Sequence, residues 1–226
     1  MNERRLFLFS GMGGDARLFR EIRVAGIELI TPDHVEPKDA EDLVSYATRL
    51  VKQYDIRPLD VVGGASFGGM LAAQMTALFP VAGLVLLGSC YHPRSLPQGY
   101  RLAERVGRLI PDFVLGLRSW RPLVRWRFAP VTEHAEECLL AMAATCSTLT
   151  LRRFGAMLVE WRGVETLSCP KLSVHGAWDR MIPAAQAEAD LILSDAGHAF
   201  TLTHAKETNA AIEVFLARLR EDHPSK

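Results

Sequence analysis

The chain has 226 residues, which allows one large domain or one domain carrying an insertion. Its 26 Lys and Arg balance its 26 Asp and Glu, so no global electrostatic case for nucleic acid arises, and 49% hydrophobic residues can fill a sizeable core. No apolar run approaches the roughly 18 to 20 residues of a membrane span. Cys90, Cys138, Cys146 and Cys169 show neither paired spacing nor a secretory context. The expectation is a cytoplasmic protein that uses no disulfide, metal or cofactor.

Arg4 and Arg5 lead into Leu6-Phe7-Leu8-Phe9, a run too short for a secretion signal and broken at Ser10-Gly11, so it reads as a first core strand. Further strands are predicted near 27–30, 59–62, 83–87, 171–175 and 190–193, with helices in most gaps; 42–51 and 210–217 carry apolar residues at helical spacing. This alternation predicts an α/β fold, a mostly parallel sheet with helices on both faces. From Tyr91 to about Glu165 it gives way to amphipathic helical pieces interrupted by Pro93, Pro97, Pro111, Pro122 and Pro130. The organisation read from this is a core of 1–90 and 166–226 with an insertion at 91–165.

Gly64-Ala65-Ser66-Phe67-Gly68 follows the third strand and precedes the helix-like Met70-Leu71-Ala72-Ala73. It reads as a nucleophile elbow, in which a tight strand-to-helix turn exposes the serine and very small residues two positions before and after let the chain pass itself. The helix N-terminus beneath Ser66 would face developing negative charge. Asp179, in His175-Gly176-Ala177-Trp178-Asp179, and His198, in Gly197-His198, each sit just past a predicted strand end. The order Ser, Asp, His is that of serine nucleophiles on such elbows.

With these motifs the chain resembles the alpha/beta-hydrolase superfamily over nearly its whole length. The resemblance implies a serine hydrolase acting on a carboxylic ester or thioester, with Ser66 as nucleophile, His198 as general base and then acid, and Asp179 orienting the imidazole. It also implies an oxyanion hole from the amides of Phe67 and Met12, with Gly11, Gly13 and Trp178 near the substrate. Relatives usually begin the early loop His-Gly, whereas this chain has Ser10-Gly11, which leaves the loop's anchoring open. The two leading strands of the family sheet are missing and 183–189 has room for barely two helical turns, so the expected fold is a trimmed version.

In the superfamily an insertion after this strand is a helical lid, and 91–165 is read as one. Cys138–Ala143 and Phe154–Val159 offer apolar faces that either line an acyl pocket or pack the lid onto the body. Trp120, Trp126 and Trp161 belong to the same segment. Arg101, Arg105, Arg108, Arg118, Arg121, Arg125 and Arg127 form either a solvated face or a surface for an acidic carrier protein. The second use resembles pimeloyl-[acyl-carrier protein] methyl ester esterases, whose overall plan is similar. Rival assignments are His204 as base, Asp195 as acid and Cys90 as nucleophile; His175 is expected to be a packed, hydrogen-bonded structural residue. An acyltransferase, perhydrolase or lyase would carry the same triad, as would a small-molecule receptor of the same fold.

Overall fold

A computed structural model describes residues 4–97 and 120–222. Six parallel strands, β1 (Arg5–Phe9), β2 (Glu28–Ile30), β3 (Val61–Ala65), β4 (Gly83–Leu87), β5 (Lys171–Gly176) and β6 (Leu191–Leu193), form one sheet in the order β2-β1-β3-β4-β5-β6. Every predicted strand forms. β3 starts two residues later than expected, because Asp60 N–H bonds to Arg57 O (3.0 Å) and the turn absorbs Leu59-Asp60.

Side chains alternate across the sheet. Leu6, Leu8, Val61, Val85, Leu87, Leu172 and Val174 enter one apolar cluster, while Phe7, Phe9, Val62, Leu84 and Leu86 enter the other. Both faces are covered, which is why the strands read as continuous apolar runs. Helix α1 (Leu43–Gln53) starts at Asp42, whose carboxylate accepts from Ser45 N–H (2.8 Å), and turns Leu43, Tyr46, Ala47, Leu50 and Val51 inward. Helix α2 (Phe67–Leu78) has no polar face; Phe67 through Thr76 are all buried.

The chain leaves β1 toward β2 on one side and returns to β3 on the other, so the strand order reverses between β1 and β3. The carboxyl ends of these two strands are a topological switch point, where open α/β sheets bind ligands. Both the loop after β1 and Ser66 after β3 lie there.

Within 91–165, the described residues form α3 (Arg121–Phe128), α4 (Glu133–Thr145) and α5 (Thr148–Glu160). Pro122 opens α3 instead of breaking it, since N–H groups of a first turn have no helical partner to lose. Phe154, Met157, Leu158 and Trp161 are buried in the cluster beneath the sheet, and Trp161 Nε1–H donates to Gln74 Oε1 (3.0 Å). Cys138, Leu139 and Met142 bury with Leu18 and Phe19 in the other cluster. These apolar faces therefore pack this segment onto the body; Trp120 and Trp126 stay exposed. Arg101, Arg105, Arg108, Arg118 and Pro111 lie outside the described residues. Between β5 and β6 a single 3-10 turn, Ala184–Gln186, fills the short gap. Helices α6 (Phe200–Thr203) and α7 (Ala205–Asp222) complete the chain. Among the described residues no helix is long and apolar enough to cross a membrane.

Candidate active site

Ser66 has φ 51° and ψ −119°, a conformation that costs an L-residue on the order of 1 to 3 kcal/mol. The flanking small residues make it attainable. A Cβ on Gly64 would lie 2.3 Å from Phe9 O and one on Gly68 would lie 1.9 Å from the same oxygen, so the elbow is pressed against the end of β1. Ser66 N–H donates to Leu87 O (3.1 Å) and Ser66 O accepts from the buried Ser89 hydroxyl (2.5 Å), which fixes the turn from the β4 side. The Phe67 amide opens α2, where N–H groups lack helical acceptors.

The loop after β1 reaches the same point. Gly14 N–H donates to Gly11 O (2.9 Å), and Gly13 has φ +82° at the third position, the signature of a type II turn. A Cβ on Gly11 would stand 3.2 Å from Ser66 Cβ, which places Gly11 and Met12 beside the serine. His34, from the loop after β2, brings Nε2 within 3.0 Å of both Ser10 Oγ and Gly11 O. Sequence reading passed over His34. The available signal was its place just past a strand end, on the same edge of the sheet as the other site loops.

His198 Nδ1 lies 2.6 Å from Asp179 Oδ2, with both side chains almost fully buried. Asp179 Oδ1 accepts from Met181 N–H (2.8 Å) and Ile182 N–H (2.9 Å). Burial alone would raise this carboxyl's pKa, but the His198 charge, its hydrogen bond and the two amides outweigh it and hold the group below the usual carboxylate range. A carboxylate on Oδ2 selects the Nδ1–H tautomer, leaving Nε2 with a lone pair. Gly88, directly after Leu87, joins this pair to the elbow: a Cβ there would be 3.3 Å from both Asp179 Oδ2 and His198 Nδ1. Among the described residues no hydrogen bond joins Ser66 Oγ to His198.

α3 closes over the acid and base loops. A Cβ on Gly197 would meet Ala129 O at 2.4 Å and Phe128 O at 2.5 Å, and the Phe128 and His198 rings are 5.9 Å apart. Arg180 donates to Trp126 O (2.7 Å) and stacks over the Trp126 ring. Trp178 is 60% exposed, with its indole N–H on Ser194 O (3.1 Å), so its ring faces outward from the acid loop.

The rival groups are engaged elsewhere. His204 Nε2 and Asp195 Oδ1 pair with each other at 3.2 Å. Burial pushes the Cys90 thiol up to about 12, far from thiolate chemistry. His175 is packed as expected, but the hydrogen bonding expected of it is absent among the described residues: neither ring nitrogen has a partner, and burial pushes its pKa down to about 4. The arginines of α3 also differ from a free charged face. Arg121 (3.2 Å) and Arg125 (2.6 Å) both donate to the buried carboxylate of Glu136. No group of three or more His, Cys, Asp or Glu among the described residues is placed to hold a metal ion. An open groove of about 690 Å³ lined by Glu21, His134, Lys206 and Glu213 includes none of the candidate residues.

The model of the Alpha/beta hydrolase family matches residues 6–211. The chain belongs to that family. This alpha/beta hydrolase is 28% identical to a pimeloyl-[acyl-carrier protein] methyl ester esterase of Xylella fastidiosa (strain M12), covering 69% of the chain and 70% of the relative. Its fold is similar to that of a thermophilic esterase from Thermogutta terrifontis, with TM-score 0.72 and 22% identity over 96% of the chain and 90% of the esterase. It is also similar to a hydrolase from Oleispira antarctica, with TM-score 0.77 and 15% identity over 96% and 92%. As a member of this family the protein is a hydrolytic enzyme, and the curated relative and several structural neighbours are named as esterases.

Proposed function

We propose that this alpha/beta hydrolase cleaves carboxylic esters or thioesters through Ser66, His198 and Asp179. The observation that carries the reading is the strained Ser66 elbow at the switch point, tied through Leu87 and the adjoining Gly88 to a buried His198–Asp179 pair. Ser66 Oγ attacks the carbonyl carbon while His198 Nε2 takes its proton. The oxyanion accepts from the amides of Phe67 and Met12, a pair of donors of which each is worth roughly a hundred- to a thousandfold in rate. Collapse expels the alcohol or thiol, which leaves with the proton from His198. A water then gives a proton to His198 and its oxygen to the acyl carbon, and Ser66 regains its proton as the acid departs. Catalytic hydrogen bonds of this kind tighten in the substrate complex, where the serine–histidine contact is made. Gly11 and Gly13 let substrate approach the hole, Trp178 borders the entrance, and 91–165 acts as the lid.

Hydrolysis of a p-nitrophenyl ester series from acetate to dodecanoate tests this. Turnover lost in Ser66→Ala supports the serine mechanism, and the optimum chain length sizes the site. Equal turnover in the variant would remove Ser66 from the reaction.

A narrower reading, favoured by the curated relative and by the exposed flanks of Arg121 and Arg125, is an acyl ester delivered on an acidic carrier protein. Attraction between exposed charges is screened by salt. Raising ionic strength should therefore lower kcat/KM for a carrier-bound methyl ester and leave that for a free ester unchanged; equal responses would exclude it.

A further inference from the structure

The early loop begins Ser10-Gly11, and the structure brings a histidine to it from another part of the chain. His34 Nε2 stands 3.0 Å from Gly11 O and 3.0 Å from Ser10 Oγ. A carbonyl oxygen only accepts, so Nε2 carries the proton, donating to Gly11 O and shared with Ser10 Oγ. Burial depresses the pKa of His34 and keeps the ring neutral. The ring is held by Phe154 of α5, with centroids 4.8 Å apart, and by Phe67, at 6.3 Å.

Gly11 O thus accepts two hydrogen bonds, from His34 Nε2–H and from Gly14 N–H at 2.9 Å. The peptide unit is planar and trans, so the Gly11 carbonyl and the Met12 amide N–H point in opposite directions. Fixing one fixes the other. We infer that His34 is a positioning residue for the oxyanion hole: by holding Gly11 O it aims the Met12 N–H at the carbonyl oxygen of a substrate bound at Ser66. His34 touches no reacting atom. Through Phe154 and Phe67 it also ties the hole to the insertion helix and to the second donor. The inference rests on Ser66 and the Met12 amide having the roles proposed above.

Four variants decide it. His34→Phe keeps an aromatic ring between Phe67 and Phe154 without the N–H. His34→Gln can place an amide N–H where Nε2–H stands, while His34→Asn is too short to do so. Ser66→Ala controls for the parent mechanism. With p-nitrophenyl butyrate, His34→Phe and His34→Asn should lose roughly 10- to 100-fold in kcat with KM nearly unchanged, less than outright loss of one donor. His34→Gln should recover most of the rate. Phenylboronic acid, which forms a tetrahedral adduct on the serine, should bind more weakly to His34→Phe by a factor close to the kcat loss. Thermal unfolding identifies the variants that fold, and the Gln and Asn pair carries the comparison if Phe does not. A folded His34→Phe with the parent's kcat, a rate loss without weaker boronate binding, or equal loss in Gln and Asn would each overturn the inference. If Ser66→Ala hydrolyses ester like the parent, the serine reading falls and this inference with it. If Ser66→Ala is inactive and His34→Phe is not impaired, only this inference falls.

Discussion

Asp179 holds His198 with one carboxylate oxygen and two backbone amides with the other: Oδ2 is 2.6 Å from His198 Nδ1, and Oδ1 accepts from Met181 and Ile182 N–H. The carboxylate is therefore oriented from behind. In Asp179→Asn the two amides keep the side-chain oxygen, so the NH2 group faces Nδ1. An NH2 donor requires Nδ1 to accept, which moves the imidazole proton to Nε2, where a serine proton must be received. Ester kcat should fall on the order of 10,000-fold, as in enzymes where this tautomer is inverted. Steady-state kinetics beside a thermal melt separates that loss from unfolding.

At Gly197 the backbone of the insertion presses on the base loop. A methyl there would sit 2.4 Å from Ala129 O and 2.5 Å from Phe128 O, both backbone atoms that cannot rotate away. Gly197→Ala should destabilise the protein by about 1 to 3 kcal/mol, the usual range for forced overpacking. It should also lower ester turnover, because relief requires moving either α3 or His198. Denaturant unfolding and kcat on the same preparation check both.

Glu136 is buried, with Arg121 and Arg125 as its partners, so these arginines staple α3 to α4. Reversing both to glutamate would leave the buried Glu136 carboxylate without its two cations and set two like charges beside it. The double variant should melt below the parent and lose activity on free esters as well as carrier-bound ones. Adding Glu136→Lys should recover part of the melting temperature. A melt unchanged by the reversal would show the staple to be dispensable.

His175 carries a pH signature. Its pKa is about 4 in the folded protein against an ordinary value of 6.5, with burial dominant, Asp179 opposing it, and His198 and Lys171 adding to it. The unfolded chain therefore binds a proton between pH 6.5 and 4 that the folded one excludes, and stability falls as pH drops through that window. The loss from this group approaches about 3 kcal/mol near pH 4. In His175→Leu, which also removes two unpartnered ring nitrogens, urea unfolding at pH 7 and pH 4.5 should differ less than in the parent.

The strands were legible because burial on both faces leaves a local mark: Leu6–Phe9 and Val61-Val62 are apolar without interruption, and each ends where polar or small residues begin. The elbow was legible from its Gly-x-Ser-x-Gly pattern, although the closest atom that Gly64 and Gly68 each make room for, Phe9 O, lies at the end of β1. Asp179 and His198 could be found because a parallel sheet delivers every strand's carboxyl end to one edge, so chain order alone brings three loops together.

Other features have no local mark. Nothing in the residues around His34 tells that its Nε2 reaches Gly11 O across 23 positions, because that depends on how the loop after β2 folds back on the sheet. The same holds for Glu136 and its two arginines, for the His204–Asp195 pair, and for α5, whose apolar face met the requirements of a pocket lining and of a core helix equally. The sequence by itself determined the elements, their parallel arrangement and the edge where chemistry would lie, since these follow from periodicity and strand direction. Tertiary structure alone decided which side chains hold the early loop and how the insertion is fastened, because such contacts form between distant segments whose docking no short-range pattern encodes.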